Sequence, residues 1–178
     1  MKRYTEEKIE LKEYGFPGRT QKLLTSLISL DNYPAHMKAR DKLVKQGESI
    51  LPVMHKLTES RSDIIRREAA KILKLLAHRS SIPVAIKLLE DRESDNRWIA
   101  AEILIATGRA SIKPLLRELV ENGASSFLRH GAHHVLSELV KADDPEELKE
   151  FLHKSLIGNE LPDAVPVKAA RILHKKLI

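Results

Sequence analysis

An all-α fold, an α-solenoid of about five antiparallel helix pairs, is predicted by three features of the 178-residue sequence. Pro52, Pro83 and Pro114 stand 31 positions apart in near-copies of one phrase: Ile50-Leu-Pro-Val-Met-His-Lys-Leu57, Ser81-Ile-Pro-Val-Ala-Ile-Lys-Leu88 and Ile112-Lys-Pro-Leu-Leu-Arg-Glu-Leu119. The period returns in Glu59, Glu90 and Glu121, and in an alanine series at Ala39, Ala69, Ala100 and Ala132, with a looser copy at Ala169. Each period also holds two stretches with apolar residues at the spacing of one helix face, separated by a short polar break. A fixed period of this length marks a stacked array in which each unit buries its apolar face against its neighbours.

The elements follow in order. Residues 1–18 read as a capping segment, with a helix over Thr5 to Glu13 ending at Gly15 and a turn at Phe16-Pro-Gly18. The first unit, 19–47, holds helices over Thr20 to Leu30 and Ala35 to Lys45, split by Asp31-Asn-Tyr-Pro34 and closed by Gly47. In the second, 48–78, a helix over Glu48 to Glu59 carries Pro52 near its start, where a missing amide costs little. A longer helix, Ile64 to His78, takes Asp63 as N-cap and gathers Ile65, Ala69, Ile72, Leu73 and Leu76 on one side. Small Ala69 and Ala70 allow a partner helix to approach closely. The third unit, 79–108, repeats this plan with Ile82 to Glu90 and Asp95 to Thr107, ended by Gly108, which suits a left-handed cap. The fourth, 109–141, runs from Ser111 to Glu121, breaks at Asn122-Gly123 and continues from Ser126 to Lys141. The fifth, 142–178, has helices over Pro145 to Ile157 and Ala164 to Leu177. Its acidic opening, Asp143-Asp-Pro-Glu-Glu147, reads as an N-cap, a first-turn proline and two dipole-facing carboxylates, so it needs no catalytic explanation.

At 42% apolar and 31% charged residues, the composition is that of a folded soluble domain. The absence of cysteine excludes disulfides and thiolate metal sites. Met1 to Phe16 is charged at nearly every second position, so neither a signal peptide nor a spanning helix is expected there; no membrane partner is expected, and the cytoplasm is the expected compartment. A net charge of +6 favours an anionic partner, although the Lys and Arg residues are spread along the chain rather than gathered in a tail. Aromatics at 4% leave few rings on which single-stranded bases could stack.

The phrases Arg66-Arg-Glu-Ala-Ala70, Arg97-Trp-Ile-Ala-Ala101 and Arg129-His-Gly-Ala-His133 each follow a polar turn and precede an apolar run. In these the chain resembles HEAT repeats, most closely the short-period kind found in phycobilin lyases, well over residues 35 to 141 and less well in the flanking units. Pro166 stands where the fifth unit should carry its Arg. The resemblance implies a right-handed superhelix whose concave side is lined by the second helix of each pair. It implies binding rather than a reaction, and fold analogy alone carries no chemistry.

On the second helix of the second unit, Arg67, Lys71, Lys74 and His78 share the face opposite the apolar one. Carried across units by the alanine register, one row of that face reads Met37, Arg67, Trp98, His130, Val167 and the next Asp41, Lys71, Glu102, His134, Arg171. Trp and Arg are common interface anchors, so the candidate binding groove comprises Arg67, Lys71, Lys74, Trp98, Glu102, His130, His134 and Arg171. The competing reading buries Trp98 between helices and leaves the charges as solvated surface. His130 and His134 have the i, i+4 spacing of a metal pair, but Gly131 stands where a zincin motif needs Glu, so no metal site and no cofactor are expected. The recurring Arg66, Arg97 and Arg129 read as a structural ladder bonding adjacent repeats. No phosphate loop or nucleophile elbow is present, and no catalytic residue is assigned.

The function expected is that of a protein-interaction scaffold whose concave groove receives a helix or extended segment of a partner. The alternative is binding of duplex nucleic acid in the manner of HEAT-like alkylpurine DNA glycosylases, with the Arg67, Lys71, Lys74 stripe on phosphates and Glu102 or Asp41 as the groove carboxylates. Self-association is a third candidate, because Lys175-Lys-Leu-Ile178 ends in an apolar pattern without a polar cap.

Overall fold

A computed structural model of the chain describes residues 10–29, 33–156 and 163–175, and all regular secondary structure among them is helical. The predicted N-terminal helix falls mostly outside these residues; its described end, residues 10–13, is helical and stops before Gly15, whose φ of +65° only glycine adopts cheaply. The helices are α1 (Gly18–Leu27), α2 (Tyr33–Val44), α3 (Leu51–Leu57), α4 (Asp63–Leu76), α5 (Ile82–Leu88), α6 (Ser94–Ala106), α7 (Ile112–Asn122), α8 (Ser126–Leu139), α9 (Glu146–Glu150, continued by a π-helical turn Phe151–Ser155) and α10 (Ala164–His174). They form two compact units, residues 1–76 and 77–178.

The repeat period is visible in how each pair begins. Short 3-10 turns, Gly47–Ile50, Arg79–Ser81 and Gly108–Ser111, lead into α3, α5 and α7; the first of them stands where α-helix was expected from Glu48. Pro52 and Pro83 lie in the first turn of α3 and α5, where no helical acceptor loses a partner. The N-cap of α4 differs from expectation. Asp63 is the first helical residue, and it is the Ser62 hydroxyl that accepts from Ile65 N at 3.4 Å. Serine and aspartate are near-equal caps, so the choice falls to whichever one precedes the first helical turn.

Second helices end one to three residues before a left-handed position in three successive repeats, at Gly47 (φ +59°), Ala77 (φ +48°) and Gly108 (φ +70°). Two of these use the residue that adopts the conformation without strain. The third places a Cβ there, which costs roughly 1 kcal/mol. Ala77→Gly is therefore expected to stabilise the chain by about 0.5–1 kcal/mol, read as a higher urea midpoint at unchanged slope; a lower midpoint would show that the left-handed geometry is not what limits this turn.

In the first unit α1 packs on α2, α3 on α4, and the second helices α2 and α4 touch. Leu24, Leu27, Ala39, Leu43, Ile50, Met54, Leu57, Ile65, Ala69, Ile72 and Leu73 are buried, as the predicted faces require. One charge is buried with them. Glu68, 1% exposed, bonds to Arg40 Nη2 at 2.6 Å and Lys71 Nζ at 2.7 Å, with His36 Nε2 at 3.4 Å. His36 Nδ1 lies against Leu27 O, a carbonyl that only accepts, so this nitrogen carries the proton and Nε2 accepts from Arg40.

In the second unit α5 pairs with α6 and α7 with α8; the first helices α5 and α7 touch, as do the second helices α6 and α8. Gly131 on α8 sits where an added Cβ would come within 2.7 Å of Leu89 Cδ2, so a small residue permits this contact. The last pair departs from the plan. α10 packs along α7, starting at its C-terminal end, where Pro166 lies 3.0 Å from the position a Cβ on Gly123 would take. The second helix of this pair thus joins the layer of first helices and runs opposite to α7, while the π-helical turn after α9 meets α8.

The acidic opening of α9 is structural, though not as capping alone. Asp144 accepts a bidentate pair from Arg109 at 2.6 and 2.8 Å and the amide of Lys141 at 2.7 Å. The Arg109 guanidinium holds its carboxyl down at about 2. Pro145 takes the cap position instead of the first turn.

Candidate functional site

The predicted groove residues fall on both units. In the first unit Arg67 is half-buried on α4, Lys74 is exposed, and Lys71 is engaged by Glu68. Met37 and Asp41 lie on α2, Met37 half-buried with its sulfur 3.6 Å from Arg40 Nη1, and Asp41 exposed.

In the second unit four predicted residues share the α6–α8 surface. Trp98 is 59% exposed, which decides against the reading that buries it. Its ring stacks on His134 with centroids 4.5 Å apart and planes 22° from parallel. The other side of this contact is braced by Glu102, whose Oε1 is 3.4 Å from His134 Nε2. Adjacent helices of the second layer thus hold an indole upright against one face of an imidazole and leave much of the indole in solvent. His130, also exposed, donates from Nδ1 to Ser126 O of its own helix at 2.6 Å. The two histidines face different partners, and among the described residues no three His, Cys, Asp or Glu side chains form a group that could hold a metal ion.

Sequence reasoning missed Phe127. It is 45% exposed, and the Arg97 guanidinium lies over its ring at 4.0 Å. The signal was present: Phe127, His130 and His134 fall at i, i+3 and i+7, one face of α8. Arg97 also corrects the ladder expected of Arg66, Arg97 and Arg129. Each donates from Nη1 to two carbonyls five and six residues earlier, Ser60 and Arg61, Asp91 and Arg92, Gly123 and Ala124. These bonds close the turn inside each repeat rather than tie one repeat to the next, because the side chain emerges in the first turn of the second helix, directly over the end of the first.

Val167 and Arg171 leave the predicted row. Ala169 is buried as the register requires, but α10 packs on α7, so both residues belong to another layer than Trp98 and His134. Arg171 instead lines a cleft of about 140 Å³ with Glu147, Glu150, Phe151, Lys154, Lys168 and Ile172.

His133, beside His130 and His134 on α8, titrates below the ordinary histidine value, first because burial disfavours its charged form and then because His153, His130 and His134 add positive charge.

A family model described as HEAT repeats matches residues 50–137, the stretch from α3 into α8 that holds Trp98, Glu102, Phe127, His130 and His134. That stretch carries HEAT-like repeats. HEAT repeats generally serve as protein-interaction scaffolds, and the departure of α10 from the repeat plan lies outside the matched residues. No curated protein and no solved structure was found to match the chain. Among the described residues no helix is long and apolar enough to cross a membrane. The chain end expected to self-associate, residues 176–178, lies outside the described residues.

Proposed function

We propose that this protein is a scaffold that binds a helical or extended segment of another protein on the α6–α8 surface of its HEAT repeats, the face formed by second helices. The observation that carries this reading is the half-exposed Trp98 stacked on His134. An aromatic whose orientation is already fixed loses little entropy on binding, and such residues dominate interface energies. Phe127, held by Arg97 on the same helix as His134, supplies a second apolar contact. The partner segment is one that brings apolar side chains to these two rings and hydrogen-bonding groups to His130 and Glu102.

The test uses Trp98 as its own reporter, since it is the only tryptophan. Peptides selected from a displayed library against the full chain are titrated while Trp98 emission is followed. Bound peptides should shift that emission, and Trp98→Ala and Phe127→Ala should each weaken them by roughly tenfold or more, about 1.4 kcal/mol or above, with melting unchanged. Peptides that bind without disturbing Trp98, or equally well to both variants, would place recognition elsewhere. The duplex nucleic-acid reading of the Arg67, Lys71, Lys74 stripe is weakened by the engagement of Lys71 with Glu68.

A further inference from the structure

We infer that the cleft between α1 and α2 is a binding site for the phosphate backbone of duplex nucleic acid, built of other residues than the α6–α8 surface and the Arg67, Lys71, Lys74 stripe. The cleft measures about 650 Å³ and is lined by Arg19, Thr20, Lys22, Leu23, Lys42, Lys45 and Gln46. Four of these seven side chains are cationic and none is acidic; Asp41 and Glu48, the carboxylates nearest in sequence to Lys42 and Lys45, are not among them. Among the described residues none of the four cations forms an ion pair.

Several cations outside the cleft are matched by carboxylates. Arg40 and Lys71 meet Glu68, Arg61 meets Glu13, Arg109 meets Asp144, Lys149 meets Glu146, Lys154 meets Glu150 and Lys175 meets Glu147. Local helix chemistry adds to the positive field instead of relieving it. α1 begins at Gly18 after Pro17, with no side-chain cap and no acidic residue in its first turn, and it carries Arg19 where the helix dipole favours a carboxylate. Lys42, in the last turn of α2, and Lys45, directly after it, sit where the dipole favours a cation. Arg19 and Lys22 have no such support and add like charge at a cost to folding that an anionic occupant would offset.

The lining selects among anions. No aromatic ring is present for stacking an exposed base, which disfavours single strands and free nucleotides. The exposed large apolar residues among those described are Leu75, Trp98, Phe127 and Val167, none on α1 or α2, so nothing here inserts into a bilayer. Lys22 pairs with Arg19 and Lys45 with Lys42 at one-turn spacing, roughly 5–6 Å between Cβ atoms. Long flexible side chains from two such pairs can reach successive phosphates of one backbone, while Thr20 and Gln46 offer neutral hydrogen bonds to phosphate oxygens.

The experiment titrates a labelled DNA duplex with the full chain at 50 and 200 mM salt, beside phosphatidylserine vesicles and inorganic tripolyphosphate. Engagement of three to four phosphates predicts a salt slope of about −3 to −4, roughly a hundredfold weaker binding at the higher salt. Lys22→Glu combined with Lys45→Glu, both exposed positions, should make the slope shallower by about two and lower affinity at 50 mM by about tenfold or more, with the melting curve retained. Arg67→Glu with Lys74→Glu should leave binding intact. The inference is overturned by the absence of duplex binding at 50 mM salt, by full binding in the Lys22/Lys45 variant, by loss confined to the Arg67/Lys74 variant, or by binding of vesicles or tripolyphosphate without duplex.

Discussion

Glu68→Gln is expected to destabilise the protein by about 3–5 kcal/mol, as much as the removal of a large core side chain. Glu68 is 1% exposed and meets Arg40 at 2.6 Å, whose own side chain is 15% exposed. Lys71, at 36% exposure, can swing toward water when its partner is neutralised, but Arg40 cannot. The loss therefore comes mainly from an uncompensated guanidinium held between α2 and α4. Replacing the whole group is a different matter. His36→Leu, Arg40→Met and Glu68→Met together remove every charge that needs a partner, apart from the solvent-reaching Lys71, and should recover most of the stability. Urea unfolding followed by circular dichroism measures both variants. A Glu68→Gln midpoint that costs less than about 1 kcal/mol would mean that water reaches Arg40 and that the group is not buried in the sense assumed.

The period, helix pairing and core faces were legible because they depend on local spacing: Pro52 and Pro83 in first turns, buried Ala69, Ala100 and Ala132, and left-handed Gly47 and Gly108 all recur at the repeat distance. The Glu68 group was not legible, since its members, His36, Arg40, Glu68 and Lys71, come from two repeats and nothing in the sequence around Glu68 distinguishes a buried carboxylate from a surface one. The candidate site was legible in part. Register alone put Trp98 and Glu102 on one helix and His134 on the next, where they do meet. Register failed for Val167 and Arg171, because it assumes that every pair stacks in the same order, and α10 lies on α7. Pro166 in place of the repeat's Arg was the visible sign: without that residue the fifth unit lacks the bond that closes the turn in the three units before it.

Arg66→Met is expected to cost about 2–4 kcal/mol, and the equivalent changes at Arg97 and Arg129 distinctly less. All three arginines use Nη1 to hold two turn carbonyls, at 2.8 and 3.0 Å for Arg66, 2.7 and 3.1 Å for Arg97, and 3.0 and 2.6 Å for Arg129. Hydrogen bonds from a charged donor contribute roughly 1.5–3 kcal/mol each when water cannot replace them, and the positive charge also faces the negative end of the preceding helix dipole. What separates the three is access to water. Arg66 is 6% exposed and Ser60 is 3% exposed, and the Ser60 hydroxyl is already committed to Glu10 Oε1 at 2.7 Å. Arg97 and Arg129 are only half-buried, so solvent can take over their carbonyls when the side chain is lost. Arg66→Lys should fall between wild type and Met, because it keeps the charge but gives up the planar fork that spans two acceptors. The measurement is the set of urea midpoints for the three Arg→Met variants. Equal costs at all three sites would show that the bonds themselves set the stability of the turn and burial does not. A cost below about 0.5 kcal/mol at Arg66 would remove this arginine as the device that folds each second helix back on the first.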